Sequence, residues 1–200
     1  KPIIRTGPVQ IVTVGISTGG PNALAEMIPS LPGTLRVPVV LVQHMPALFT
    51  AALAETLDKK SSVTVVEAQD DQVINPGTVY IAPGGHQMKL VKEGALVKIS
   101  ITDDPPENYC KPAVDYLFRT VSEIYGSRSL GVIMTGMGSD GVQGIQRMKN
   151  SGSSVIAQDE ATCVVFGMPA EAIKAGVVDT ILPLNQIAPE ITRIVQDGTS

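Results

Sequence analysis

Two hundred residues with 44% hydrophobic and 17% charged side chains can bury a core of ordinary size, which excludes a disordered chain. A formal net charge of −4, without any cluster of Lys and Arg, offers no basic field to a phosphate backbone, so no nucleic acid partner is expected. No apolar run approaches the ~20 residues that a membrane-spanning helix needs, and direct membrane insertion is not expected either.

In chain order, residues 1–8 carry no periodicity and read as a linker, leaving 9–197 for one domain. An apolar strand near 10–15 runs into Gly15-Ile-Ser-Thr-Gly-Gly-Pro21, and a helix follows near 21–30. A second strand near 37–43 stops at His44-Met-Pro46, before a helix near 46–59 and a short strand near 63–67. Pro21 and Pro46 both suit a helix start. The stretch 73–102 differs: Val79–Pro83 looks extended, and the segments 88–91 and 95–101 suggest a hairpin turning at Glu93-Gly94. Alternation then resumes with a helix at 112–125, a strand at 130–135, a helix at 140–150 and a strand at 154–158. A helix near 169–175, a strand near 177–182 and a helix near 184–196 complete the chain. Repeated strand–helix units predict an α/β fold: a doubly wound, mostly parallel sheet with helices on both faces, carrying a β-hairpin insertion near 78–101.

A parallel sheet gathers the carboxyl ends of its strands along one edge, where α/β proteins build their sites. Ser17 and His44 each end a strand and are therefore expected at that edge. Gly15-Ile-Ser17-Thr-Gly19 fits the G-x-S-x-G elbow, which exposes a serine between a strand and a helix. The same strand–turn–helix could instead cradle a phosphate, although the spacing matches neither G-x-G-x-x-G nor a P-loop. His44 favours the nucleophile, because a neutral imidazole is the usual activator of a serine hydroxyl. His86, the second of two histidines, follows Pro83-Gly-Gly and reads as a surface or rim residue. The orienting carboxylate has two candidates, Asp140 in a glycine-rich turn and Asp159 after the next strand; pattern favours Asp140 without excluding a plain helix-cap role for it. The order Ser, His, Asp is not that of α/β-hydrolases, so the elbow does not bring that fold with it.

Cys110 and Cys163 read as ordinary thiols of an intracellular chain. With two histidines and two cysteines the sequence is poorly stocked for a zinc centre, and neither metal nor cofactor is expected. A serine hydrolase, a nucleotide- or phosphosugar-binding domain and a catalytically silent interaction module remain the readings to separate.

Five blocks carry a resemblance. Gly-Ile-Ser-Thr-Gly-Gly-Pro (15–21), Gln-His-Met-Pro (43–46), Ile-Ala-Pro-Gly (81–84), Met-Thr-Gly-Met-Gly-Ser-Asp-Gly (134–141) and Cys-Val-Val-Phe-Gly-Met-Pro (163–169) resemble, in order, the catalytic domain of the CheB family of chemotaxis protein-glutamate methylesterases. The resemblance implies Ser17 as nucleophile, His44 as general base and Asp140 as its orienting carboxylate. It also implies Thr18 and Met137 beside the oxyanion, Met137 contributing a backbone N–H. It further implies a cytoplasmic enzyme that hydrolyses γ-glutamyl methyl esters on the cytoplasmic domain of methyl-accepting chemotaxis receptors, releasing methanol and also deamidating receptor glutamines. Full-length members carry an N-terminal receiver domain with no counterpart in this sequence, so residues 1–8 read as the end of its linker. A monomeric, constitutively active catalytic domain is the expectation.

Overall fold

The structure, a computed structural model, describes residues 7–197. Six of the eight positions expected to form the linker, 1–6, therefore lie outside the described residues. Seven strands form one sheet: β1 (Ile11–Ile16), β2 (Val39–Gln43), β3 (Thr64–Glu67), β4 (Thr78–Ile81), β7 (Ser129–Ile133), β8 (Ser154–Gln158) and β9 (Thr180–Leu182). Their spatial order is β3-β4-β2-β1-β7-β8-β9, and every pairing in it is parallel. The chain steps outward from β1 to β2 and β3, then returns to build β7, β8 and β9 on the other side. The winding thus reverses at β1, where open parallel sheets form their binding crevice.

Alternate residues of each strand face opposite sides, and each side has its own core. Val12, Val14 and Ile16 pack with Leu24 of α1 (Gly20–Met27), Leu57 of α2 (Ala47–Asp58) and Ile187 of α6 (Leu184–Asp197). Ile11, Val40 and Ile133 face the other way, onto Leu117 and Phe118 of α3 (Val114–Tyr125), Ile145 of α4 (Val142–Asn150) and Met168 of α5 (Met168–Lys174). β1 is buried along its whole length, as expected of a parallel strand covered on both faces. Gly15 is the exception in size: a Cβ there would lie 2.5 Å from Val114 Cγ1, so glycine lets α3 close onto the sheet.

The expected hairpin is present with narrower limits. Its strands are β5 (Gln87–Glu93) and β6 (Leu96–Thr102), paired antiparallel as a separate two-stranded sheet. Thr78–Ile81 belongs to the main sheet, between β3 and β2. Met88, Leu90 and Ile99 of the hairpin join the core beneath α3, so the insertion buries one face.

Candidate active site

Three adjacent strands, β2, β1 and β7, end at one place. The β1–β2 register aligns Ile16 with Gln43, and the His44 N–H donates to Ile16 O at 3.1 Å, which sets His44 beside Ser17. On the other flank the Ser17 N–H donates to Thr135 O at 2.9 Å. The Ser17 carbonyl accepts from Gly20 N at 2.8 Å and from Gln43 Nε2 at 2.9 Å. The glycines after Ser17 are spatial requirements. Gly19 adopts φ 82°, and a Cβ on Gly20 would fall 1.7 Å from Gln43 Oε1.

Asp140 is 3% exposed, and four donors hold it. Oδ2 accepts from His44 Nε2 at 2.7 Å and from Val114 N at 2.7 Å, while Oδ1 accepts from Asp115 N at 3.0 Å and Asn108 Nδ2 at 2.9 Å. Val114 and Asp115 are the first residues of α3, so the carboxylate sits on the positive end of a helix dipole. Burial pushes its pKa up, but the bonds from His44, the two N–H groups and Asn108 outweigh that and hold it below the ordinary value. Asp140 does not cap the helix that follows it: Gly141 is the N-cap residue of α4, and the Asp140 carboxylate accepts the first N–H groups of α3 instead.

Asp115 mirrors this arrangement. It is 5% exposed, and its carboxylate accepts from Gly144 N in the first turn of α4 and from Asn108 Nδ2 at 2.9 Å. Burial raises its pKa, with the nearby Asp140 charge adding to the rise. Helices α3 and α4 thus exchange carboxylates at their N-termini, and one Asn108 amide bridges both.

His44 is half-buried. Desolvation pulls its pKa down, but the bond to Asp140 and the Cys110 sulfur more than compensate and raise it to about 9. Nε2 is committed to Asp140, which leaves Nδ1 as the nitrogen able to accept a proton. The Cys110 sulfur lies 3.7 Å from Nδ1. The Ser17 hydroxyl has no hydrogen-bond partner among the described residues.

The remaining expected residues fall as follows. Asp159 spends its carboxylate on the backbone N–H and hydroxyl of Thr162, away from His44. His86 is an exposed residue in the turn before β5. Thr18 is exposed, and its carbonyl accepts from Thr135 Oγ1 at 2.9 Å. Met137 is 73% exposed and follows Gly136, whose backbone is pressed so close to Ser17 that an added Cβ would meet Ser17 Cβ at 2.7 Å. Sequence reasoning missed Asn108, Asp115, Cys110 and Thr135. Thr135 Oγ1, which also accepts from Val164 N and Val165 N, ties the β7 loop to the loop after β8.

The family model described as CheB methylesterase matches residues 12–191. A protein-glutamate methylesterase/protein-glutamine glutaminase of Desulfotalea psychrophila is 52% identical over 195 residues, covering 96% of this chain and 54% of the relative. Its namesake from Moorella thermoacetica is 47% identical over 192 residues, covering 96% of this chain and 45% of the relative. The chain therefore spans about half the length of the curated relatives it matches. The crystal structure of the Thermotoga maritima CheB methylesterase catalytic domain superposes with a TM-score of 0.92 at 43% identity, covering 94% of this chain and 99% of that one.

Proposed function

The chain belongs to the CheB methylesterase family, and from that premise we propose that it is a serine hydrolase acting on γ-glutamyl methyl esters of chemoreceptor cytoplasmic domains. Deamidation of receptor glutamines is the second activity of this reading, in line with the double name of the relatives. The observation that carries it is the convergence of Ser17, His44 and Asp140 on three neighbouring strand ends, with the imidazole bonded to the carboxylate at 2.7 Å.

The Ser17 hydroxyl oxygen attacks the ester carbonyl as its proton passes to His44 Nδ1. Asp140 keeps the Nε2–H of the ring oriented and stabilises the imidazolium. The tetrahedral oxyanion forms beside Thr18 and the Met137 backbone; the Met137 N–H has no intramolecular acceptor among the described residues and is available to donate. Collapse expels methoxide, which takes the proton from His44 and leaves as methanol. Water then attacks the acyl-serine, His44 removing its proton, and the free glutamate carboxylate is released.

A protein substrate is supported by the rim. Leu48 is 88% exposed, Phe49 57%, Tyr109 104% and Val164 68%; with Met137 they place exposed apolar side chains on the first turn of α2 and on the loops after β6, β7 and β8, where a small polar substrate would need none. In this reading the enzyme works as a monomer in the cytoplasm, downstream of a receiver domain in the full-length protein. No helix among the described residues is long and apolar enough to cross a membrane.

The test is methanol release from methylated receptor. Ser17→Ala should abolish it, and a fluorophosphonate should label wild type at Ser17 only. Comparable turnover from the variant would remove the nucleophile assignment, and nucleotide binding without labelling would favour the phosphate-loop alternative.

A further inference from the structure

Cys110 has no part in the chemistry above, yet the fold fixes its sulfur 3.7 Å from His44 Nδ1. Asn108 and Tyr109, at φ 51° and 63°, form a two-residue turn closed by Cys110 N donating to Glu107 O at 2.7 Å and Glu107 N to Cys110 O at 3.1 Å. Gln87 Nε2 also holds the Cys110 carbonyl, at 3.3 Å. The imidazole is fixed equally well from its other nitrogen by Asp140. Both groups are thus positioned by backbone and by buried partners.

That separation is the bite of a tetrahedral metal. Zinc binds thiolate sulfur at about 2.3 Å and imidazole nitrogen at about 2.0–2.1 Å, which places the two donors about 3.6 Å apart at a tetrahedral angle. Metal-bound imidazoles commonly donate their second ring N–H to a carboxylate, and Asp140 already fills that position at 2.7 Å. The donor atoms of His44, Cys110 and Asp140 all lie within 4.8 Å of one another. Asp140, held by four donors, stays outside the metal's own shell. Access comes from a pocket of about 410 Å³ whose walls include His44, Cys110, Pro46, Gly85 and Lys111.

We propose that His44 Nδ1 and Cys110 Sγ form a two-ligand site for Zn²⁺, completed by water, and that the bound ion reversibly inhibits the enzyme. The ion takes the lone pair that must accept the Ser17 proton; the thiol proton, and the Nδ1 proton where His44 carries one, are released to solvent as the Zn–S and Zn–N bonds form. The ion is an inhibitor here and not a cofactor. The inhibitory consequence rests on His44 as general base; the binding site does not.

Two measurements separate these. Co²⁺ is titrated into chelator-stripped, phosphine-reduced protein, and the sulfur-to-cobalt charge-transfer absorption is followed. Wild type and Ser17→Ala should develop the band with one equivalent, and Cys110→Ser should not. In parallel, methyl ester hydrolysis is measured against free Zn²⁺, each protein normalised to its own metal-free rate. Cys110→Ser should need at least about tenfold more Zn²⁺ for half-inhibition, the lower end of what loss of even an outer partner costs a metal site. Absence of the band in wild type overturns the site, as does its persistence in Cys110→Ser or its loss only in Cys163→Ser. A band without inhibition would leave the metal site standing and count against His44 as the base.

Discussion

The two halves of the site are built to opposite standards. On one side Asp140 is buried under four donors, and His44 is bonded to it from across the end of β1. On the other side the Ser17 backbone is pinned by Thr135, Gly20 and Gln43, while its hydroxyl is left without a partner. In the proposed roles, the acid–base pair is preorganised and the nucleophile retains one free rotation. A group that must only orient and stabilise charge gains from rigidity. A nucleophile that must swing from the imidazole to a carbonyl and back gains from a torsion that nothing holds.

The largest effect should come from the rigid half. Asp140→Asn keeps the shape but replaces an acceptor oxygen with an amide facing Nε2, which favours the wrong ring tautomer. Turnover should fall by about 10⁴-fold with little change in KM, as loss of an orienting aspartate does elsewhere. Steady-state kinetics checks this; a loss confined to KM would show that Asp140 serves binding instead. Next is Asn108→Ala, which withdraws the amide shared by Asp140 and Asp115. Hydrogen bonds to charged groups contribute about 1.5 kcal/mol or more, so kcat should drop roughly tenfold. The half-reaction with a fluorophosphonate should slow in parallel, since both need the oriented imidazole.

The pH profile sharpens the contrast further. If His44 is the general base it works as neutral imidazole, and its pKa is raised to about 9. Below that value kcat/KM should climb about tenfold per pH unit and level off above it. Measured with chelator present, Cys110→Ala should move this limb to lower pH, because the sulfur is one of the groups that raises it. The stability sign is opposite. A folded pKa above the unfolded 6.5 stabilises fully below 6.5, and that contribution is lost as pH rises toward 9. Tm should therefore decline across the window in which activity grows, and a Tm rising there would contradict the raised value.

What the sequence made legible was local. The apolar run into Gly15-Ile-Ser17 and the strand ending at His44 are patterns of neighbouring residues, and both elements sit where the periodicity put them. The hairpin blurred because Thr78–Ile81 is as apolar as a hairpin strand yet pairs across more than thirty residues with β2. Asn108 and Cys110 were illegible for a related reason. They lie in an aperiodic stretch whose conformation depends on consecutive left-handed residues, one of them a tyrosine, and their partners are 32 and 66 residues away. No short-range rule reports such contacts, and the two candidate carboxylates differ by contacts of this kind: the α3 N-terminus and His44 bond Asp140, while Asp159 bonds only Thr162.

That choice supplies the smallest predicted effect and a matched control. Asp159, like Asp140, follows a strand of the central sheet, and the change to Asn is chemically identical. Asp159 Oδ1 serves only the Thr162 turn, and an amide oxygen can accept the same backbone N–H. Asp159→Asn should thus keep methyl ester hydrolysis within about twofold of wild type and cost at most about 1 kcal/mol of stability. Assayed side by side, the two substitutions should differ by more than three orders of magnitude in rate. If they proved similar, the asymmetry between carboxylates would lie in general packing, and Asp140 would lose its claim to orient His44.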